Sequence, residues 1–169
     1  MRITPINSRV CFTILILLFA CTKTSSNKSA TDIILPPDPS ESGKATLAGV
    51  DSDRDGVRDD IQRYIVLTYP DQPEIQKALR QYAKAHQDYI LGADDPLKTK
   101  ENAIKADKSI ECLFSKATTD SHSKIFDQIH AEFLNTKERI LANSKADSHL
   151  SGQVFSDINK DKAKSCDDH

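Results

Sequence analysis

Between Ile75 and Ile90 the side chains Ile75, Leu79, Tyr82, Ala83, His86, Tyr89 and Ile90 fall three and four residues apart. That spacing places them on one stripe of an α-helix and leaves the polar residues on the opposite side. A helix with so broad an apolar stripe must be covered by other elements. The rest of the chain offers helices to do so: glycine is sparse, tryptophan is absent and no segment sustains the period-two alternation of a strand. The sequence therefore predicts an all-α fold, a small bundle of about four helices.

Local punctuation places the helices. The first begins inside the acidic stretch at Asp51 and runs to about Thr68, with Ile61, Tyr64 and Ile65 on one side, before Tyr69-Pro70 stops it. Asp71 is the expected cap of the second, with Glu74 as its capping-box partner, and Gly92 ends it. Asp95-Pro96 suits a cap followed by a first helical residue, opening a third helix with Ala103, Ala106, Ile110, Leu113 and Phe114 inward. A fourth is expected from about Ser121 to Ser144, carrying Ile125, Ile129, Phe133 and Ile140. The tail, with Val154, Phe155 and Ile158, should pack back over the bundle.

The beginning of the chain has another character. Arg2 and Arg9 precede an apolar run from Val10 to Phe19, interrupted only by Thr13. About ten apolar residues are too few to span a bilayer, which takes roughly 20, but they suit the core of a signal peptide over residues 1–20. Residues 21–44 are rich in Ser, Thr, Lys and Pro and cannot bury enough apolar area to offset their ordering entropy. They read as a flexible linker, roughly 25–30 Å end to end as a random coil. Residues 45–169 remain as one helical domain.

The run ends Leu18-Phe19-Ala20-Cys21. With an aliphatic residue at −3, a small one at −1 and then cysteine, it resembles the bacterial lipobox. The resemblance implies cleavage after Ala20, a diacylglycerol thioether on Cys21 and a further acyl chain such as palmitate. It implies a protein held in the bacterial cell envelope, since two or more chains give stable anchoring. Thr22, where an aspartate would retain the protein in the inner membrane, implies the outer membrane, facing the periplasm or the cell surface. An ordinary secretory signal cut near Ala20 is the alternative.

Four cysteines are present. Cys11 leaves with the signal and Cys21 takes the lipid. Cys112 and Cys166 are then the one possible intramolecular pair, and an oxidising envelope makes a disulfide the default. A zinc site is the rival, but no close Cys/His pair supports it. Without residues 1–20, which hold two arginines and no acid, 21 basic and 25 acidic residues leave a net charge of −4. No concentrated basic face is present, which argues against nucleic-acid binding. The five histidines form no His-Glu-x-x-His pattern, and neither Gly-x-Ser-x-Gly nor a phosphate-cradling loop appears. The sequence thus points away from an enzyme. His86 reads as a satisfied core histidine, His130 as helix surface, and Tyr64, Tyr82 and Tyr89 as core residues with hydroxyls at the rim.

The chemistry is concentrated in Asp51-Ser52-Asp53-Arg54-Asp55-Gly56-Val57-Arg58-Asp59-Asp60. Acids at positions 1, 3 and 5 direct oxygens to one centre. Gly56 at position 6 permits a sharp turn, and the Val57 carbonyl at position 7 adds a further donor. Five acids against Arg54 and Arg58 give the stretch a charge of −3, so it repels itself without a cation. A hard cation of calcium's size takes six to eight such oxygens. The expected Ca2+ ligands are Asp51, Asp53, Asp55, Val57 and Asp60, with Asp59 or Gln62 completing the shell. The alternative is an acidic turn whose aspartates favour the N-terminus of the first helix.

The stretch resembles the EF-hand loop, with two departures: Gln62 at position 12 where a bidentate Glu is usual, and Arg58 at position 8 where an aliphatic residue stands. It is closer to the solitary Asp-x-Asp-x-Asp-Gly loops of thrombospondin type 3 and excalibur-type motifs, the latter with an acid at position 10, where Asp60 stands. The order of lipid anchor, calcium loop and helical domain is similar to uncharacterised proteobacterial lipoproteins. Together these readings predict a calcium-binding, membrane-anchored envelope lipoprotein, acting as a non-enzymatic binding or scaffolding module for a protein or cell-wall partner. A calcium-responsive switch is the alternative, and an enzyme without a recognisable motif a third.

Overall fold

The computed structural model describes residues 35–153 and 162–167. Residues 1–34, including Cys21 and the expected signal, lie outside them, as do Val154, Phe155 and Ile158. The described residues form five α-helices and no strand: α1 (Asp59–Thr68), α2 (Pro73–Leu91), α3 (Pro96–Lys116), α4 (His122–Phe133) and α5 (Lys137–Leu150). Short 3-10 turns at Ser40–Lys44 and Lys162–Ser165 flank them. The all-α bundle expected from the sequence is the observed architecture. No helix among the described residues is long and apolar enough to cross a membrane.

Helix α2 is the centre. Its whole predicted stripe, Ile75 to Ile90, is buried, and it packs against α1, α3 and α5. Val57, Ile61 and Ile65 close one side, while Leu113, Ile129 and Phe133 close another. Helix α3 starts as expected: Asp95 Oδ1 accepts from the N–H groups of Leu97 (2.9 Å) and Lys98 (3.2 Å), with Pro96 at the first position.

Helix α2 starts one residue later than predicted. Gln72 holds the cap position with no side-chain capping bond, and the Asp71/Glu74 capping box does not form. The cause is Pro73, which keeps the preceding residue out of the helical region. Gln72 sits at φ −124° and ψ 68° and cannot be a first helical residue. Glu74 pairs instead with Lys77 (3.7 Å) and Lys116 (3.5 Å).

The expected fourth helix is two. The backbone leaves α4 at Leu134 and re-enters a helix at Lys137, where Thr136 Oγ1 accepts from Arg139 N at 3.2 Å. Asn135 and Thr136 carry side chains that compete for backbone groups, which favours a stop and a new cap. The break resets the helical phase. Ile125, Ile129 and Phe133 face inward as predicted, but Ile140 is 52 % exposed and Arg139 takes the buried position.

The linker also ends earlier than residue 44. Pro36, Pro39 and Gly43 are buried, Arg63 Nη1 donates to Pro36 O (2.8 Å) and Arg139 Nη2 to Gly43 O (2.6 Å). This segment is tied through its carbonyls, an option that a composition argument about side chains does not register. At the other end Cys112 and Cys166 are disulfide-bonded across 54 residues. Beside the bridge, Gln81 Nε2 donates to Ser165 O (2.8 Å) and Gln81 Oε1 accepts from Asp167 N (3.0 Å).

Candidate metal centre

The acidic stretch folds into a loop closed at its base by Asp59 N donating to Val50 O at 2.8 Å. Inside it the aspartates turn their carboxylates onto nearby backbone N–H groups. Gly56 N donates to Asp51 Oδ2 (3.0 Å), Asp55 N to Asp53 Oδ1 (3.3 Å) and Val57 N to Asp55 Oδ1 (2.8 Å). The contacts of Asp53 and Asp55 are Asx turns, and with the longer reach of Asp51 they wind the short chain about its own acids. Gly56 has φ 87°, the left-handed conformation expected of position 6. Ser52 N donates to Asp59 Oδ1 at 2.9 Å, so the first turn of α1 is part of the loop.

Ligand atoms of Asp51, Asp53 and Asp59 all lie within 4.8 Å of one another. Gln62, 4 % exposed, reaches back from α1 and its Nε2 donates to Asp53 Oδ2 at 3.3 Å. Two oxygens in this group are buried without a hydrogen-bond partner: Asp51 Oδ1 and Gln62 Oε1. Buried polar atoms are seldom left unpaired, so each calls for a physical reason. Three carboxylates and an amide are hard oxygen donors of the type that suits a non-transition divalent cation.

Two of the other expected ligands, Asp55 and Asp60, are differently engaged. Asp55 Oδ2 receives Arg80 Nη1 from α2 at 3.2 Å. Burial raises the Asp55 carboxyl above its usual range, and the charges of Asp53 and Asp51 add to this against the opposing Val57 N–H and Arg80. Val57 is 3 % exposed and anchors the loop in the core. Asp60 is turned away from the triad: Arg58 Nε donates to its Oδ1 (3.0 Å) and Nη2 to its Oδ2 (2.8 Å), with Asn135 Nδ2 at 3.1 Å. Burial acts to raise the Asp60 carboxyl, but Arg58 and Asn135 outweigh it and hold it below the usual range. Asp59, the expected alternate, stands in the triad, and Asp60 serves the buried arginine.

Arg58 and Arg139 escape a reading that treats charged residues as surface. Both are fully enclosed, at 2 % and 0 % exposure. Arg58 also donates to Phe133 O (3.0 Å) and lies 4.8 Å over the Phe133 ring. Arg139 donates to the carbonyls of Gly43, Thr46 and Leu47 and to Asn135 Oδ1. The two cross at Gly49, where a Cβ would meet Arg139 Nη2 and Arg58 Cδ at 2.8 Å each. The signal for Arg58 was its place at loop position 8, an inward position, with Asp60 two residues on.

A second titratable group sits in the core. His86 is 6 % exposed, stacked on Tyr82 at 4.7 Å and edge-on to His130 at 5.2 Å, yet neither ring nitrogen has a hydrogen-bond partner. It is a core histidine, as expected, but not a satisfied one. Burial, then the neighbouring His130, pushes its pKa from 6.5 down to about 4, with Asn143 acting against the shift. His130 is half-buried rather than surface, and its Nδ1 lies 2.7 Å from Tyr82 Oη. Tyr89 donates to Asp147 Oδ1 at 2.8 Å. Tyr82 and Tyr89 are core residues and Tyr64 packs half-buried against the core, but the Tyr82 hydroxyl lies inside rather than at a rim. Comparisons of the chain with family models, with curated proteins and with solved structures give no match.

Proposed function

We propose that the loop binds one Ca2+ ion through Asp51, Asp53 and Asp59, with Gln62 Oε1 supplying the oxygen that a bidentate glutamate gives elsewhere. The observation that carries this reading is the buried, unpartnered Asp51 Oδ1 on a cluster of three carboxylates, one of which the buried Gln62 amide already reaches. A divalent ion would satisfy that oxygen and bring the loop's net charge from −3 to −1. An exchange of the Gln62 amide ends turns Oε1 toward Asp53, where Nε2 now stands. Lacking the bidentate acid, the site belongs to the weak extracellular range, roughly 10⁻⁴–10⁻³ M.

The wider proposal is a lipid-anchored protein of the bacterial envelope, acylated at Cys21, that acts as a binding or scaffolding module rather than an enzyme. The loop lies between the strap of residues 35–50, held by Arg139 and Arg63, and the first helix of the bundle. An ion there stiffens the joint between tether and domain.

Calorimetric titration of calcium into the protein tests the site. Saturable heat that is lost in Asp51→Asn/Asp53→Asn, with a rise in Tm, is the expected result. At ten times Kd the gain is about 1.4 kcal/mol. A second reading, an ion-free acidic helix cap, is favoured by the Asp59 bond to Ser52 N and by Arg80 on Asp55; it predicts no heat. For the anchor, Cys21→Ser should move the protein from the detergent to the aqueous phase on phase separation.

A further inference from the structure

One cationic side chain of the bundle already reaches the loop. Arg80 reaches from α2 to Asp55 Oδ2 at 3.2 Å, while Asp55 Oδ1 accepts from Val57 N. The position 5 carboxylate is thereby occupied on both oxygens and stands apart from the triad of Asp51, Asp53 and Asp59. The Arg80 side chain is only 27 % exposed, beside a depression of about 240 Å3 that Asp55, Val57, Gln81 and Lys84 help to line. At the triad itself Asp51 Oδ1 is buried without a partner, and Gln62, buried to more than nine-tenths, reaches in with its amide on Asp53 and its Oε1 unpartnered.

We propose that Arg80 is an internal competitor for the metal: it holds Asp55 out of the cluster in the ion-free protein and is displaced when calcium takes that carboxylate. The inference rests on the calcium reading of the loop. Arg80 offsets the charge of one acid from outside the loop. The same contact then opposes the ion. Because the pair is partly exposed, its worth is that of a surface ion pair, and the expected effect on affinity is small but measurable.

The test uses the full chain in detergent, titrated with calcium chloride by calorimetry at fixed ionic strength, for the native protein, Arg80→Gln and Lys84→Gln. Lys84 lies one turn along α2 with its stem against Gly56. Its substitution removes the same charge near the loop without breaking the pair on Asp55. Arg80→Gln should bind calcium about threefold to fivefold more tightly than the native protein, while Lys84→Gln changes affinity less than twofold. In the same samples without calcium, Arg80→Gln should melt lower than the native protein, so that affinity and ion-free stability move in opposite directions. Native binding with equal or weaker binding by Arg80→Gln overturns the competitor role and leaves the calcium site standing. An equal gain in both variants also overturns it, because general electrostatics then suffices. Absence of native binding overturns the site and the inference together.

Discussion

Lowering the pH should loosen the bundle from its core outward, through His86. Its folded pKa is about 4 against an ordinary value of 6.5. A histidine shifted downward takes up its proton more readily in the unfolded chain. Its contribution to stability is therefore fully present above about pH 6.5 and is lost as the pH falls toward 4. At about 1.4 kcal/mol per pH unit the whole difference amounts to roughly 3 kcal/mol, of which about 2 kcal/mol is lost between pH 7 and 5. For a domain of this size that is roughly 6–10 °C in Tm. The groups that face His86 act in known directions: His130 is itself held low by burial, while Asp147 and Asp127 oppose that shift. Urea melts of the native protein and of His86→Phe, from pH 7.5 to 4.5, isolate the term, because carboxylates titrate alike in both. The phenylalanine ring keeps the contacts with Tyr82, Tyr89 and Phe133 and has no nitrogen to leave unpartnered. The variant should match or exceed the native stability at pH 5 and show a flatter slope. Parallel slopes for the two proteins would refute the reasoning.

Three further outcomes follow from particular contacts. Reducing the Cys112–Cys166 bridge, or replacing Cys166 by serine, should cost up to about 4 kcal/mol in urea melts, as expected for a closed loop of 54 residues. Arg139→Met should cost about 3 kcal/mol by leaving buried carbonyls unpaired, and limited proteolysis should then cut within residues 35–48, where the native protein resists. Asp60→Asn should lower stability by roughly 2–4 kcal/mol because Arg58 stays buried, yet leave calcium affinity within about twofold. Asp59→Asn should weaken binding roughly tenfold or more, a contrast that calorimetry reads directly.

How far the sequence could be read depends on which force decides each feature. The α2 stripe and the Asp95-Pro96 start were legible because apolar spacing and capping are local. The break at Asn135-Thr136 was not, because an apolar pattern continued on paper through Ile140 while two polar side chains and the burial of Arg139 stopped the helix. Asp51, Asp53 and Gly56 were legible from spacing alone. The exchange of roles between Asp59 and Asp60 was not: a carboxylate that follows a loop reads as a ligand until one knows that Arg58 is enclosed and needs it. Buried arginines are hard to foresee in general, since their cost is met by carbonyls and acids far along the chain, here Phe133 for Arg58 and Gly43 for Arg139.

Calcium held by Gln62 and the triad must reach the Gln62 side chain. Nitrogen-15 NMR of the protein during a calcium titration tests it most directly, with the side-chain amide of Gln62 as the reporter. Saturable shifts of the backbone N–H signals of residues 51–62 and of the Gln62 side-chain NH2 are expected, with a midpoint of roughly 0.1–1 mM. Spectra in which the loop and the Gln62 amide stay unmoved at about 10 mM calcium, tenfold above that range, would contradict it.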